Sequence, residues 1–248
     1  STVRDLDDPV SQIALDRRSF TGGIDGFTHL DEDGVWALKG YVAGSHINGS
    51  PEAIRELQTS SRRYYQRPDT KHLNYDPQAT EMKGYVSRLS LNKQSGNWCF
   101  NSAAGYSSPG FEINDVGFQF RTDVFNTSVV GGYRWLEPHG PFRNQTVYLG
   151  TYKTWDTGGT PDAYGAGLFY WNQFKNYWSL DMSTFFNPER NDTRLTRGGP
   201  VMRVPLHWEF DASVSTDHRN NWVASFSGGG SSDEGGSASA YGRVSLEL

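Results

Sequence analysis

Apolar and polar residues alternate with a period of two along most of this sequence, and this alternation limits the possible folds more than any other feature. From Met202 to Val214, every second position is apolar. The positions between them are mostly polar and include Arg203, His207, Glu209 and Asp211. Successive side chains of a β-strand point to opposite faces, so the pattern predicts strands with one apolar face and one polar face.

Eleven stretches have this alternation, and together they predict an all-β fold. The connections between them are alternately short and long, as in a meander with tight turns at one end of the sheet and loops at the other. Outer-membrane barrels have this asymmetry, so we expect an up-and-down antiparallel transmembrane β-barrel, or a large part of one, over residues 1–248. The predicted strands are 20–30, 35–48, 82–93, 97–106, 122–135, 145–155, 163–173, 177–187, 201–216, 222–230 and 238–248. Within 201–216, Pro205 has no N–H for the ladder, so we expect a bulge or bend there.

Strand length and the positions of aromatic residues agree with a barrel. The stretch from Trp98 to Tyr106 covers eight residue steps, which corresponds to about 26 Å of strand. At a tilt of ~40° this length spans most of the ~25 Å apolar band of an outer-membrane barrel, whose margins carry aromatic residues. An aromatic stripe in the core of a soluble protein has the same pattern, and this alternative stays open.

The overall composition argues against several classes of protein. The formal net charge is −5, whereas general nucleic-acid binding needs a broad basic surface. The mean hydropathy is −0.65, and no stretch approaches the ~18 apolar residues of a spanning helix. The single cysteine, Cys99, excludes an intrachain disulfide.

One segment, in the long loop at residues 49–81, departs from the alternation. Residues 50–69 predict a short helix, because Ser50 suits the N-cap, Pro51 suits the first helical position, and Pro68 forbids continuation.

A basic and aromatic cluster within this loop is a candidate ligand site. Guanidinium groups and aromatic faces suit a sugar, a phosphate or a lipopolysaccharide head group. In the alternative, the tyrosines pack on the barrel and the arginines form ion pairs with Asp69 and Asp76. The candidate residues are Arg62, Arg63, Tyr64, Tyr65 and Arg67.

Four blocks of sequence carry a family resemblance: DRRSFTGGIDG (16–26), AIRELQTSSRRYYQRPD (53–69), SPGFEINDVGF (108–118) and TRGGP (196–200). In this order they resemble the bacterial domain-of-unknown-function 5916 family. In that family, an N-terminal domain similar to family-nine carbohydrate-binding modules precedes a large outer-membrane β-barrel. The resemblance therefore implies that the chain is the C-terminal barrel, or a portion of it, of a longer protein. It implies no catalytic residues.

The polar face of residues 202–216 is a second candidate site. Residues two apart on one face lie about 6.5–7 Å from each other. His207, Glu209 and Asp211 therefore suit acid–base or metal chemistry. We favour a polar lumen wall in which Arg203 and charges on neighbouring strands compensate the carboxylates. We assign no catalytic residue, no cofactor and no metal site.

These observations favour a bacterial outer-membrane protein that acts as a pore, a transporter or a surface anchor, linked to glycan binding or uptake. Its expected partners are outer-membrane lipid, a glycan or lipopolysaccharide, and other envelope proteins. One alternative is a soluble glycan-binding protein or glycoside hydrolase, with tryptophan platforms beside Glu209 and Asp211. Another is a structural subunit of an envelope assembly. Aromatic residues at both margins of an apolar face favour the barrel over the glycan enzyme.

Overall fold

The described residues fold into a large antiparallel β-sheet and include a short helix, which confirms the predicted all-β class. The computed structural model describes residues 1–4, 8, 10–11 and 15–248. Helix α1 is Pro51–Thr59. The strands are β1 Thr2–Val3, β2 Arg18–His29, β3 Trp36–Asn48, β4 Glu81–Lys93, β5 Trp98–Ser107, β6 Val124–Trp135, β7 Phe142–Trp155, β8 Pro161–Phe174, β9 Ser179–Asn187, β10 Arg190–Asp192, β11 Met202–Val204, β12 His207–Ser215, β13 Val223–Asp233 and β14 Ala238–Glu247.

Strands that follow one another in the chain are neighbours in the sheet, as in an up-and-down meander. Among the described residues, twelve strands form one sheet, in the order β1 to β9 followed by β12, β13 and β14. Each of the eleven predicted stretches overlaps one of the long strands. In the part of the chain that the structure describes, no ladder joins β1 to β14. The structure therefore establishes a large antiparallel sheet, and the predicted closure into a barrel is not seen.

The two ends of the sheet differ in the length of their connections. At the tight-turn end, short connections join β2 to β3, β4 to β5, β6 to β7, β8 to β9 and β12 to β13. At the loop end lie residues 49–80, 108–123 and 188–206, together with two shorter turns. The last of these turns, 234–237, is shorter than predicted because β13 continues to Asp233.

The register gathers the larger apolar side chains on one face of the sheet, here called the apolar face. For example, Leu149 of β7 lies between Gly131 of β6 and Leu168 of β8. Many large apolar side chains of this face are exposed, among them Ile24, Val42, Leu89, Val129, Leu149, Leu168, Met182, Phe210, Phe226 and Val244. The opposite, polar face carries side chains such as Asn101, Ser128, Ser183, Asp211 and Ser227.

Aromatic pairs border the apolar face at both ends. At the loop end, the Tyr85 and Tyr106 rings stack with centroids 5.2 Å apart, and Phe125 lies 5.4 Å from Trp155. At the tight-turn end, the Tyr133 ring contacts those of Trp98 and Trp135 at 5.0 and 4.7 Å. The apolar face is therefore a band of aliphatic and aromatic side chains with aromatic margins.

Pro205 divides the stretch that the sequence predicts as one strand over residues 201–216. Met202–Val204 pairs with Arg190–Asp192 in a separate two-stranded sheet, whereas His207–Ser215 pairs with β9 and β13. Proline has no N–H to donate to a ladder, so the strand breaks at this residue. The predicted single strand is wrong, although we expected a bulge or bend at Pro205.

Helix α1 begins as predicted and ends earlier. The Ser50 side chain accepts a hydrogen bond from the Ala53 N–H at 3.1 Å, which caps the first turn. The helix ends at Thr59, because Ser60 is extended and its hydroxyl donates to the carbonyl of Leu57. Within the described residues, no helix is both long and apolar enough to span a bilayer.

Candidate functional site

Two segments from the loop end fold over the polar face, and together they form what we call the cap: residues 51–80 and 108–123. Ile54 of α1 packs against Ile47 of β3 and Met82 of β4 in the small hydrophobic core. A side chain at Gly84 would clash with the backbone of Phe111, so this glycine lets the second segment lie directly on β4. The cap therefore covers the polar face of β3 and β4 at the loop end.

A buried ion pair joins the two cap segments. The Arg63 Nη2 donates to the Glu112 Oε2 at 2.7 Å and to the Phe111 carbonyl at 2.5 Å. The two side chains are 0 and 6% exposed. Burial by itself would raise the pKa of Glu112. The charge of Arg63 and hydrogen bonds from Asn114 outweigh burial and hold that pKa below its ordinary value.

We expect acid to loosen the cap through Glu112. Its pKa is depressed in the folded state, so its contribution to stability is complete above the pKa of the unfolded chain, about 4.3. That contribution is lost as the pH falls through the lower folded pKa. Hydrogen–deuterium exchange of residues 108–123, corrected for the intrinsic rate, should rise below about pH 4. Glu112→Gln should exchange fast at neutral pH as well, and pH-independent protection in the unmodified protein would contradict the prediction.

A second buried arginine, Arg67, lies between two carboxylates. Its Nη2 is 3.6 Å from Asp123 Oδ2 and 3.4 Å from Asp156 Oδ2. All three side chains are less than a tenth exposed. Thr157 donates to Asp123 Oδ1 from its backbone N–H at 3.0 Å and from its hydroxyl at 2.6 Å. Arg67 therefore ties the first cap segment to the ends of β6 and β7.

The same carboxylates, together with His72, form the group of described residues whose geometry suits a metal ion. The ligand atoms of His72, Asp123 and Asp156 all lie within 4.8 Å of one another. His72 Nε2 is already 2.9 Å from Asp123 Oδ1, and Arg67 faces both carboxylates. The Arg67 guanidinium already supplies positive charge to both carboxylates, so the described contacts form an ion-pair cluster.

A third set of contacts connects the cap to the loop at residues 188–206. Arg121 Nη1 lies 2.5 Å from Asp162 Oδ2. The other oxygen of Asp162 accepts hydrogen bonds from the N–H and the hydroxyl of Thr193 at 3.0 and 3.1 Å. Arg194 donates to backbone carbonyls of both cap segments, those of Ser61, Arg62 and Phe120. Four chain segments are thereby held together over the polar face.

The predicted basic and aromatic cluster lies within this network. Arg63 and Arg67 are buried against carboxylates, and burial raises the pKa of Tyr65 to about 12. Arg62 Nε lies 3.8 Å from Glu112, and the Tyr64 ring lies 5.6 Å from the Arg194 guanidinium. The arginines thus meet Glu112, Asp123 and Asp156, which are distant in sequence, rather than the nearby Asp69 and Asp76.

The predicted lumen residues are only partly brought together. His207, Glu209 and Asp211 lie on the polar face of β12, where the Tyr241 hydroxyl donates to Asp211 Oδ1 at 2.6 Å. Arg203 lies outside the large sheet on β11 and forms an ion pair with Glu189. It is not the charge partner that the sequence hypothesis assigned to Glu209 and Asp211, because Pro205 ends the strand between them.

Two of the tryptophans, Trp155 and Trp208, lie on the opposite side of the sheet from the carboxylates that the glycan-enzyme hypothesis invokes. Trp208 precedes Glu209 in the chain, but the alternation turns it to the apolar face, where its ring lies 6.0 Å from that of Phe186. Trp155 is also on the apolar face, next to Phe125. Neither tryptophan forms a platform beside Glu209 and Asp211.

One feature of the site was absent from the sequence analysis. A cleft of about 820 Å³ lies between the second cap segment and the polar faces of β2 to β7. Its lining includes Phe118, Gln119 and Phe120, which are not among the predicted site residues. In the sequence, the only indication of this wall is that two phenylalanines flank a glutamine outside any predicted strand.

Comparison with known proteins identifies a family but no characterised relative. No curated protein matches the chain. A family match covers residues 50–244, which include the whole cap and all strands from β4 to β13. Three of the four blocks that suggested the resemblance lie within this range, namely 53–69, 108–118 and 196–200. The chain therefore belongs to the family described as Domain of unknown function (DUF5916).

Proposed function

We propose that this chain forms the wall of a bacterial outer-membrane β-barrel. In this proposal the apolar face meets lipid and the polar face lines the interior. The observation that carries the proposal is the exposure of many large apolar side chains on one face of the sheet. Soluble monomers rarely expose contiguous apolar patches larger than a few hundred Å². In a membrane, lipid would cover the apolar face of every strand and remove it from water.

The aromatic margins support the same partner. From Phe125 to Tyr133, β6 advances eight residues between the two margins, which is about 26 Å of strand. This length fits the ~25 Å apolar band of outer-membrane barrels, allowing for strand tilt, and interfacial aromatic girdles are typical of them.

The cap favours a covered interior over an open pore. Buried ion pairs hold it across the polar face at the loop end, and they tie it to β6 and β7 through Arg67. A substrate that enters from this end would have to displace or pass the cap. We therefore infer a transporter with a closed entrance, or a surface anchor, and we place the loop end outside the cell because external loops are the longer ones.

Quenching of tryptophan fluorescence tests whether lipid contacts the apolar face. The full chain is reconstituted into vesicles whose acyl chains carry bromine, and we expect strong quenching. Trp155→Phe and Trp208→Phe remove tryptophans from the apolar face and should reduce the quenched fraction. Trp171→Phe is the matched control, because Trp171 lies on the polar face of β8. A protein that is monodisperse without detergent, or equal effects of the three variants, would contradict the proposal.

A further inference from the structure

The cleft beneath the cap has the size of a small-molecule site. Its volume of about 820 Å³ falls within the ~300–1,000 Å³ of typical ligand pockets. Its walls come from different parts of the chain: the second cap segment on one side and the polar faces of β2 to β7 on the other.

One wall presents aromatic rings that the cap holds in place. Phe118 and Phe120 are 83 and 71% exposed, although both are strongly apolar. The backbone that carries them is anchored on both sides. The Gln119 N–H donates to Asn114 Oδ1 at 3.0 Å, and Arg121 pairs with Asp162 at 2.5 Å. The rings are thus presented to the cleft by a fixed segment, as binding platforms are.

The facing wall supplies hydrogen-bonding groups. Apart from Val124, its side chains from β5, β6 and β7 are hydroxyls and amides, including Ser107, Asn126, Ser128 and Thr154. Ser107 Oγ and, from the cap, Gln119 Oε1 are buried and have no hydrogen-bond partner. Both residues are more than nine-tenths buried. Buried polar atoms without partners are rare in native proteins, and a bound molecule is one way to satisfy them.

The charge of the cleft selects against ions. Arg121 is the one charged side chain in the described lining, and Asp162 already neutralises it. An anionic or cationic ligand would therefore enter without a free counter-charge, which is unfavourable in a partly enclosed site.

We infer that the cleft binds a neutral molecule that combines an apolar ring with several hydroxyl groups. The ring would stack on Phe118 and Phe120, and the hydroxyl groups would meet the amides and hydroxyls of the facing wall. An aryl glycoside has this chemistry and this size. The inference does not depend on whether the apolar face lies in lipid, because the cleft is on the opposite face.

Calorimetric titration of the full chain with 4-nitrophenyl β-D-glucoside tests the inference. We expect saturable binding, weakened about tenfold or more by the double substitution Phe118→Ala and Phe120→Ala. Phe226→Ala is the matched control, because Phe226 is an exposed phenylalanine on the apolar face. It should leave the affinity unchanged. All three positions are exposed, so the variants should fold, and circular dichroism checks this.

Three results would overturn the inference. The first is the absence of saturable binding of the glucoside. The second is a loss of affinity in Phe226→Ala as large as that in the double variant. The third is tighter binding of 4-nitrophenyl β-D-glucuronide, which adds a carboxylate to the same frame, since the cleft would then select an anion. None of these results bears on the contact between the apolar face and lipid, which the quenching experiment measures separately.

Discussion

Met182→Arg should lower the free energy of unfolding in a lipid bilayer by about 2–4 kcal/mol, whereas Ser183→Arg should change it by about 1 kcal/mol or less. The two residues are neighbours on β9 and point to opposite faces. Met182 lies beside Ala212 and Tyr170 on the apolar face, and Ser183 lies opposite Asp211 on the polar face. A guanidinium at residue 182 would be placed in lipid. At residue 183 it would meet water and a carboxylate.

Denaturant unfolding of the protein in vesicles measures both differences. The two substitutions are well matched, because they introduce the same side chain at neighbouring residues of the same strand and differ only in the face of the sheet. Equal destabilisation by the two substitutions would contradict the membrane proposal. A larger destabilisation by Ser183→Arg than by Met182→Arg would also contradict the proposal, because the polar face would then be the face that is removed from water.

Arg67→Met should release the cap from the sheet. The substitution keeps the length of the apolar stem and removes the charge, so Asp123 and Asp156 are left buried without their cation. Removal of one partner from a buried ion pair typically costs about 3–5 kcal/mol. Arg203→Met is the control, because the Arg203 side chain is 75% exposed in its pair with Glu189. A surface pair of this kind contributes about 0–1 kcal/mol.

Hydrogen–deuterium exchange locates the effect of Arg67→Met. We expect faster exchange in residues 60–72 and around Thr193, where Arg67 also donates to the backbone carbonyl. Strands at the far edge of the sheet, such as β13, should keep their protection, because Arg67 does not contact them. If Arg67→Met and Arg203→Met have the same small effect, the buried cluster does not hold the cap.

The order and approximate limits of the long strands could be predicted because they rest on local chemistry. A strand turns successive side chains to opposite faces, so alternation reports both its presence and its two faces. The start of α1 at Ser50 could be predicted for a similar reason, since an N-cap acts on N–H groups of the same turn. The break at Pro205 was only partly anticipated, because the sequence did not reveal that β11 pairs with β10.

The partners of the buried arginines could not be predicted. The sequence suggested Asp69 and Asp76 for them because these carboxylates are near in the chain. The structure pairs Arg63 with Glu112, 49 residues away, and Arg67 with Asp156, 89 residues away. These loops meet because the meander returns to the same end of the sheet after every second strand. Which side chains then face one another depends on loop conformations that carry no periodic signal.

The spacing of residues along each strand is enough to predict long antiparallel strands with an apolar and a polar face. What covers the polar face could be learned only from the fold of the whole chain. The cap, its buried ion pairs and the cleft beneath it depend on contacts between loops that are far apart in the chain. Such contacts form because a buried charge needs a partner wherever the fold provides one, and sequence distance does not limit that choice.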